Sequence, residues 1–129
     1  MSQRGSVAVE FALVLPLLLI GLVALAQVVI VARDAIVVSH AAREGAREAA
    51  VTSDDAKVEH AATRDGLDPD RTRVEVRRGG AVGEPVVVVV HYEVPVVAPL
   101  SGWLLPDAIA LTRKATMRQE EAAHASATR

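Results

Sequence analysis

At 129 residues the chain has room for one ordinary domain plus an anchor, and little for a second independent core. Its apolar share is 51% but its aromatic share only 2%, so the hydrophobicity comes from Val, Ala and Leu rather than from the rings that line most pockets, and this leans away from catalysis. A net charge of −2 with a pI of about 6.1 offers no attraction to a polyanion, and the absence of cysteine excludes a disulfide framework and thiolate metal sites.

From Phe11 to Ala32 the chain is apolar apart from Gln27. About 22 residues in a helix span roughly 33 Å, the thickness of a hydrocarbon core, so this stretch predicts a transmembrane helix. Arg4 precedes the run, and Arg33 with Asp34 follows it. The resulting small positive-inside bias favours a cytoplasmic N-terminus and an exported C-terminal part. Pro16 falls inside the run, where it should kink the helix or free local backbone groups.

Glu10 stands at the boundary of the run, where a carboxylate is costly unless it lies near headgroups, is protonated or is paired. One reading makes it a helix-start carboxylate favoured by the dipole. The other depends on its neighbours, Arg4-Gly5-Ser6-Val7-Ala8-Val9-Glu10-Phe11: a short leader with one Arg, a Gly, and four residues before a Glu that opens a long apolar helix. That pattern resembles a type IV prepilin processing site. The resemblance implies cleavage after Gly5 by a prepilin peptidase, with Ser6 as the new N-terminus and Glu10 as the fifth mature residue. A flexible Gly suits a protease that must draw out its scissile backbone at the membrane face. In an assembled fibre Glu10 could pair with the α-amino group of a neighbouring subunit, offsetting the cost of two charges in apolar surroundings. A competing reading takes the run as a secretory signal peptide cut at Ala24-Leu25-Ala26, before Gln27. The retained anchor is preferred because the apolar pattern continues through Val28, Val29, Ile30 and Val31 and because a Glu is unusual at the start of a signal-peptide core.

Past Arg33 no helix breaker occurs before about Thr52, so one helix of roughly 45 residues and nearly 70 Å is expected. Ala41, Gly45 and Ala49 fall on one face at four-residue spacing, either as a stripe permitting close approach of a neighbour or as the chance pattern of an Ala-rich helix. Ser53 reads as an N-cap with Asp54 and Asp55 in the first turn of a short second helix that ends before Gly66 and carries Val58, Ala61 and Ala62 on its apolar face. Asp68-Pro69-Asp70 turns the chain. Thr72, Val74 and Val76 then alternate with Arg71, Arg73, Glu75 and Arg77, a half-buried strand. After a loop at Gly79, Gly80 and Gly83, residues 86–94 form a strand whose Val87–Val90 run suits burial on both faces in the centre of a small antiparallel sheet. Pro95, Pro99 and Pro106 punctuate a loop around Trp103, residues 109–117 supply a third strand, and a polar Ala-rich tail, disordered or helical, closes the chain. The expected architecture is α+β: a long N-terminal transmembrane helix with a pilin-like antiparallel sheet of about three strands packed on its exported half. The expected boundaries are a leader at 1–5, the membrane helix at 6–32, the exported domain at 33–118 and a tail at 119–129.

These features together resemble a particular family. The start Arg4-Gly5, Glu10-Phe11-Ala12, the segment Ala41-Ala42-Arg43-Glu44-Gly45-Ala46-Arg47, the Val-rich strands and Ala115-Thr116-Met117-Arg118-Gln119-Glu120 look like the TadE-like pseudopilins of the tight-adherence, or Flp-type, pilus system. The resemblance covers most of the chain and is strongest over residues 4–47. It implies a minor pilin or pseudopilin needed for fibre biogenesis, a prepilin peptidase, other pilins and the inner-membrane pilus platform as partners, and a single-pass position in the inner membrane. Ser6 departs from fibre-forming pilins, which usually carry Phe at the first mature position. TadG-like and TadF-like proteins share the start motif, and the chain's length favours the TadE-like branch.

His40, His60, His91 and His124 are scattered without ligand spacing, so no metal is expected. His40 and Glu44, one helical turn apart, read as an ordinary side-chain pair. Arg71, Arg73, Arg77 and Arg78 make a local basic stretch that reads as a solvated face. No catalytic motif appears, and no cofactor, nucleic acid or small-molecule substrate is expected. Two function classes remain: a structural component of a pilus machine, and a secreted or anchored small binding domain exported by an ordinary signal peptide.

Overall fold

The computed structural model describes residues 3–97, 100–102 and 105–120, with side chains from Val7 onward. The first element is one helix, α1, Gln3–Val51, 49 residues long and continuous through Pro16. It is followed by a short helix α2 (Asp55–Thr63), a 3₁₀ turn (Pro69–Arg71) and strands β1 (Thr72–Arg78), β2 (Pro85–Pro95) and β3 (Ala108–Arg118). The strands form one antiparallel sheet in the order β1-β2-β3, the expected α+β layout. The chain divides into two compact units, Met1–Ala32 with Pro95–Ile109, and Arg33–Val94 with Ala110–Arg129.

In the first unit α1 is apolar on every side and covered on almost none. Leu17 keeps 69% of its surface exposed and Leu22 62%, and Phe11, Leu13, Leu18 and Leu25 are similarly bare. A soluble helix hides one stripe. A helix apolar all round requires an apolar medium, and α1 holds the one candidate membrane span among the described residues.

In the second unit the same helix changes character. Val38, Ala41, Ala42, Ala46, Ala49 and Ala50 are buried, at the i, i+3, i+4 spacing of a single stripe. Gly45 lies within it. A Cβ at that position would stand 3.1 Å from Val88 Cγ1 and 3.3 Å from the Ala62 Cβ, so the glycine lets the helix backbone approach both β2 and α2. On β2 the buried residues are Val86, Val88, Val90, Tyr92 and Val94, while Val87, Val89 and His91 between them are only half covered. The Val87–Val90 run is therefore not buried on both faces. The helices cover one face of the sheet, and strict alternation leaves the other to neighbouring side chains and solvent.

Two details at the joints differ from the sequence reading. The N-cap of α2 is Asp54, not Ser53: Asp54 Oδ1 accepts the Ala56 N–H at 3.0 Å, and Thr52 Oγ1 accepts the Asp54 N–H at 3.2 Å. The Ala56 N–H, within the capping reach of either residue, is taken by the Asp54 carboxylate, so the cap moves one residue on. The polar tail expected from residue 119 begins with two residues tied into this unit. Gly83 N–H donates to the Gln119 carbonyl at 2.8 Å, Gln119 N–H to the Glu84 carbonyl at 2.9 Å, and Glu120 N–H to the Ala50 carbonyl at 2.8 Å. Residues 121–129, and Pro99 and Trp103 of the proline-rich loop, lie outside the described residues.

The close approach at Gly45 makes a graded prediction for the full chain in detergent micelles, read by chemical denaturation. Gly45→Val should lower stability by about 1–3 kcal/mol through overpacking against Val88. Gly45→Ala should be near neutral, because the gain of about 1 kcal/mol in helix propensity offsets a contact relieved by a few tenths of an ångström.

Candidate functional site: the two faces of the N-terminal helix

The residues singled out in the sequence fall into two groups, each held by its own unit. Gly5 and Ser6 are helical in α1, close to the first described residue, Gln3. Glu10 follows one turn after Ser6. It is exposed and makes no ion pair with any described residue, and Phe11 beside it is 61% exposed. An exposed carboxylate and an exposed apolar ring thus stand side by side near the described start of α1.

Ala41, Gly45 and Ala49 are all buried. Within this chain the neighbours of the Gly45 backbone are Val88, Ala62 and Val58.

The residue that sequence reasoning passed over is Gln27. It is 3% exposed in a half of α1 that is otherwise largely bare, and both ends of its amide are used. Nε2 donates to the Pro95 carbonyl at 3.1 Å, and Oε1 accepts the Val97 N–H at 3.0 Å. A buried amide without partners would cost several kcal/mol, more so in hydrocarbon. Here one side chain satisfies a carbonyl and an N–H two residues apart on the segment that leaves β2. The signal was present in the sequence as the lone polar residue of the apolar run, but its partners lie 68 and 70 residues away, beyond the reach of any local pattern.

In the second unit, register explains the arginines. Arg73 pairs with His91, Glu75 with Val89 and Arg77 with Val87 across β1 and β2, so these project from the open face, whereas Arg78 opposite Val86 belongs to the inner row. Arg78 is only 14% exposed in its side chain; it contacts the Asp55 carboxylate and donates to the Thr52 carbonyl at 3.3 Å. A cation is thereby placed just past the C-terminal end of α1, whose dipole favours it, and against Asp55, whose carboxylate offsets the positive N-terminal end of α2. Arg71 pairs with Asp68 and Arg77 with Glu75. Three of the four expected basic residues are thus neutralised locally.

An open groove of about 460 Å³ runs over the outer face beside Arg73, Glu75, His91 and Thr112. His91 Nδ1 lies 3.0 Å from Thr112 Oγ1, and its Nε2 lies 3.8 Å from Glu75 Oε1. These are ordinary cross-strand contacts, and no three acidic or imidazole groups among the described residues converge on a metal position.

Residues 5–47, a third of the chain, match the family model described as TadE-like protein. The match begins at Gly5, takes in Glu10, Phe11 and Gln27, and ends with the Ala41–Arg47 segment that carries Gly45. No curated protein and no solved structure matches the chain.

The Gln27 amide makes a local prediction. Gln27→Leu keeps the helix apolar but strips the Pro95 carbonyl and the Val97 N–H of their partner, at a cost of about 1–3 kcal/mol for each group left unsatisfied. Exchange of the Val97 amide hydrogen in micelles should accelerate by about tenfold or more, equivalent to about 1.4 kcal/mol. Amides in β1 should be unchanged.

Proposed function

We propose that this chain is a pseudopilin or minor pilin, a structural component in the assembly of a tight-adherence, Flp-type pilus or a related secretion apparatus. The observation that carries the reading is the TadE-like match over residues 5–47, because that interval contains both the Gly5-Ser6…Glu10-Phe11 start and the apolar run from Phe11 to Ala32 within the candidate span. In this reading a prepilin peptidase cleaves after Gly5, and Ser6 becomes the N-terminus. The helix stays in the inner membrane as a single pass with its start on the cytoplasmic side, and the sheet-bearing part is extracytoplasmic. Glu10 supports this scheme by being exposed and free of any described ion-pair partner, so it is available to the α-amino group of a neighbouring subunit. The partners are other pilins or pseudopilins and the inner-membrane platform. The role is structural, with no catalytic residues and no cofactor.

The second reading, a small binding domain exported by a signal peptide cut after Ala26, would leave Gln27 as the first residue. Against it, α1 runs without interruption across Ala26 and Gln27, with Gln27 buried mid-helix.

Co-expression of the full chain with a prepilin peptidase separates the two. Intact-mass analysis should show loss of residues 1–5, and Gly5→Leu should abolish that loss. A product beginning at Gln27 would establish the signal-peptide reading instead, and an unchanged mass would remove the processing step on which the pilin reading depends.

A further inference from the structure

The segment between β2 and β3 carries no charge from Val94 to Pro106, with Ser101 as its one side-chain hydroxyl, and the sheet does not absorb it. It groups with the apolar half of α1. Val96 and Leu100 are buried in that unit, but Val97 remains 47% exposed and Leu105 37%. What distinguishes this loop from an ordinary surface connection is its backbone. Surface loops leave many N–H groups to water. Here Val96 N–H donates to the Asp107 carbonyl at 2.9 Å, Leu100 N–H to the Val97 carbonyl at 3.0 Å, Gly102 N–H to the Leu105 carbonyl at 2.9 Å and Leu105 N–H to the Leu100 carbonyl at 2.9 Å. Val97 N–H is taken by Gln27, and Pro95 and Pro106 have no N–H to satisfy. Gly102, at φ +85°, permits the tight turn that closes this pattern. Among the described residues, five backbone donors of this uncharged segment are thus met by protein acceptors, which lowers the cost of taking irregular backbone out of water.

The position of Gln27 sets the depth. It stands five residues before Ala32, the end of the apolar run, which places the amide and the backbone it holds about 7.5 Å inside that end. We propose that the described part of the connection between β2 and β3, residues 95–97, 100–102 and 105–106, is a second membrane element, lying in the headgroup and acyl boundary at the C-terminal end of the α1 span with Val97 and Leu105 facing lipid. The proposal rests on α1 being a membrane anchor. The occupant of the exposed apolar surface is the bilayer that surrounds the adjoining helix, because Gln27 ties the loop to that helix at a level within the apolar run. The chain then touches the membrane twice, once by a helix and once by a loop at a depth of about 5–10 Å.

The absence of cysteine makes the test direct. Full-length single-cysteine variants Val97→Cys and Leu105→Cys, labelled with an environment-sensitive nitrobenzoxadiazole probe, are reconstituted in phosphatidylcholine and phosphatidylglycerol vesicles containing lipids with doxyl groups at graded depths. Leu22→Cys on the helix and Val82→Cys in the turn before β2 serve as references. Probes at Val97 and Leu105 should be blue-shifted and quenched several-fold more than the probe at Val82, most by a doxyl group close to the headgroup. If Leu22 is quenched while Val97 and Leu105 behave like Val82, the loop lies in water and the proposal is overturned with the anchor intact. If the loop probes are shielded from both doxyl lipid and aqueous iodide, a protein surface covers them, and the proposal is equally overturned. If Leu22 itself escapes lipid quenching, the anchor reading falls and the loop proposal with it.

Discussion

A helix can dispose of apolar surface in two ways: it can turn one stripe toward a folded core, or it can sit in a medium with no water to exclude. The helix α1 does both along its length, and the other elements follow from where it changes. Up to about Ala32 its bulky side chains point in all directions and remain bare. From Val38 the apolar positions contract to a stripe of alanines around Gly45, thin enough for Val58 and Ala62 of α2 and the inner valines of β2 to come close. Large residues suit the first regime, where lipid fills any shape. Small ones suit the second, where the partner is a fixed surface.

The second unit lacks the aromatic bulk of most small cores: Tyr92 is its one buried ring among the described residues. It compensates with close approach of backbones and with ties at the ends of elements. Arg78 holds the Thr52 carbonyl just past α1 and the first acid of α2, and the chain beyond β3 returns to Glu84 and to Ala50 through backbone hydrogen bonds. Each tie is modest, about 1–3 kcal/mol where a charge takes part. Together they fix the register of helices whose stripes alone are nearly featureless.

Much of this layout could be read from the chain itself. The extent of α1 and the three strands followed from composition and period, because long apolar runs and Val-rich alternation leave few alternatives. The α2 cap was displaced by one residue because Ser53 and Asp54 are both competent caps, and the Ala56 N–H that either could take goes to the Asp54 carboxylate. Arg78 was grouped with a solvated face because charge overrode parity, although counting by twos from Thr72 through Val74 and Val76 places it on the inner row. Of the candidate site, Gly5, Glu10 and Phe11 were singled out through a resemblance carried in a few consecutive residues, and the TadE-like match takes in those positions without testing their roles. Gln27 was visible only as an oddity. Its role depends on a backbone some 70 residues downstream, and the unpatterned stretch around three prolines announced no such meeting.

That separation has a consequence in time. The Gln27 amide and its acceptor and donor on Pro95 and Val97 are synthesised 68 and 70 residues apart. At about 5–20 residues per second, roughly 4–14 s pass between the appearance of the helix and that of the segment that completes it. During this interval the Gln27 side chain has neither of the partners it holds in the folded chain, so the tie between helix and loop can close only after the chain has been made well past its midpoint.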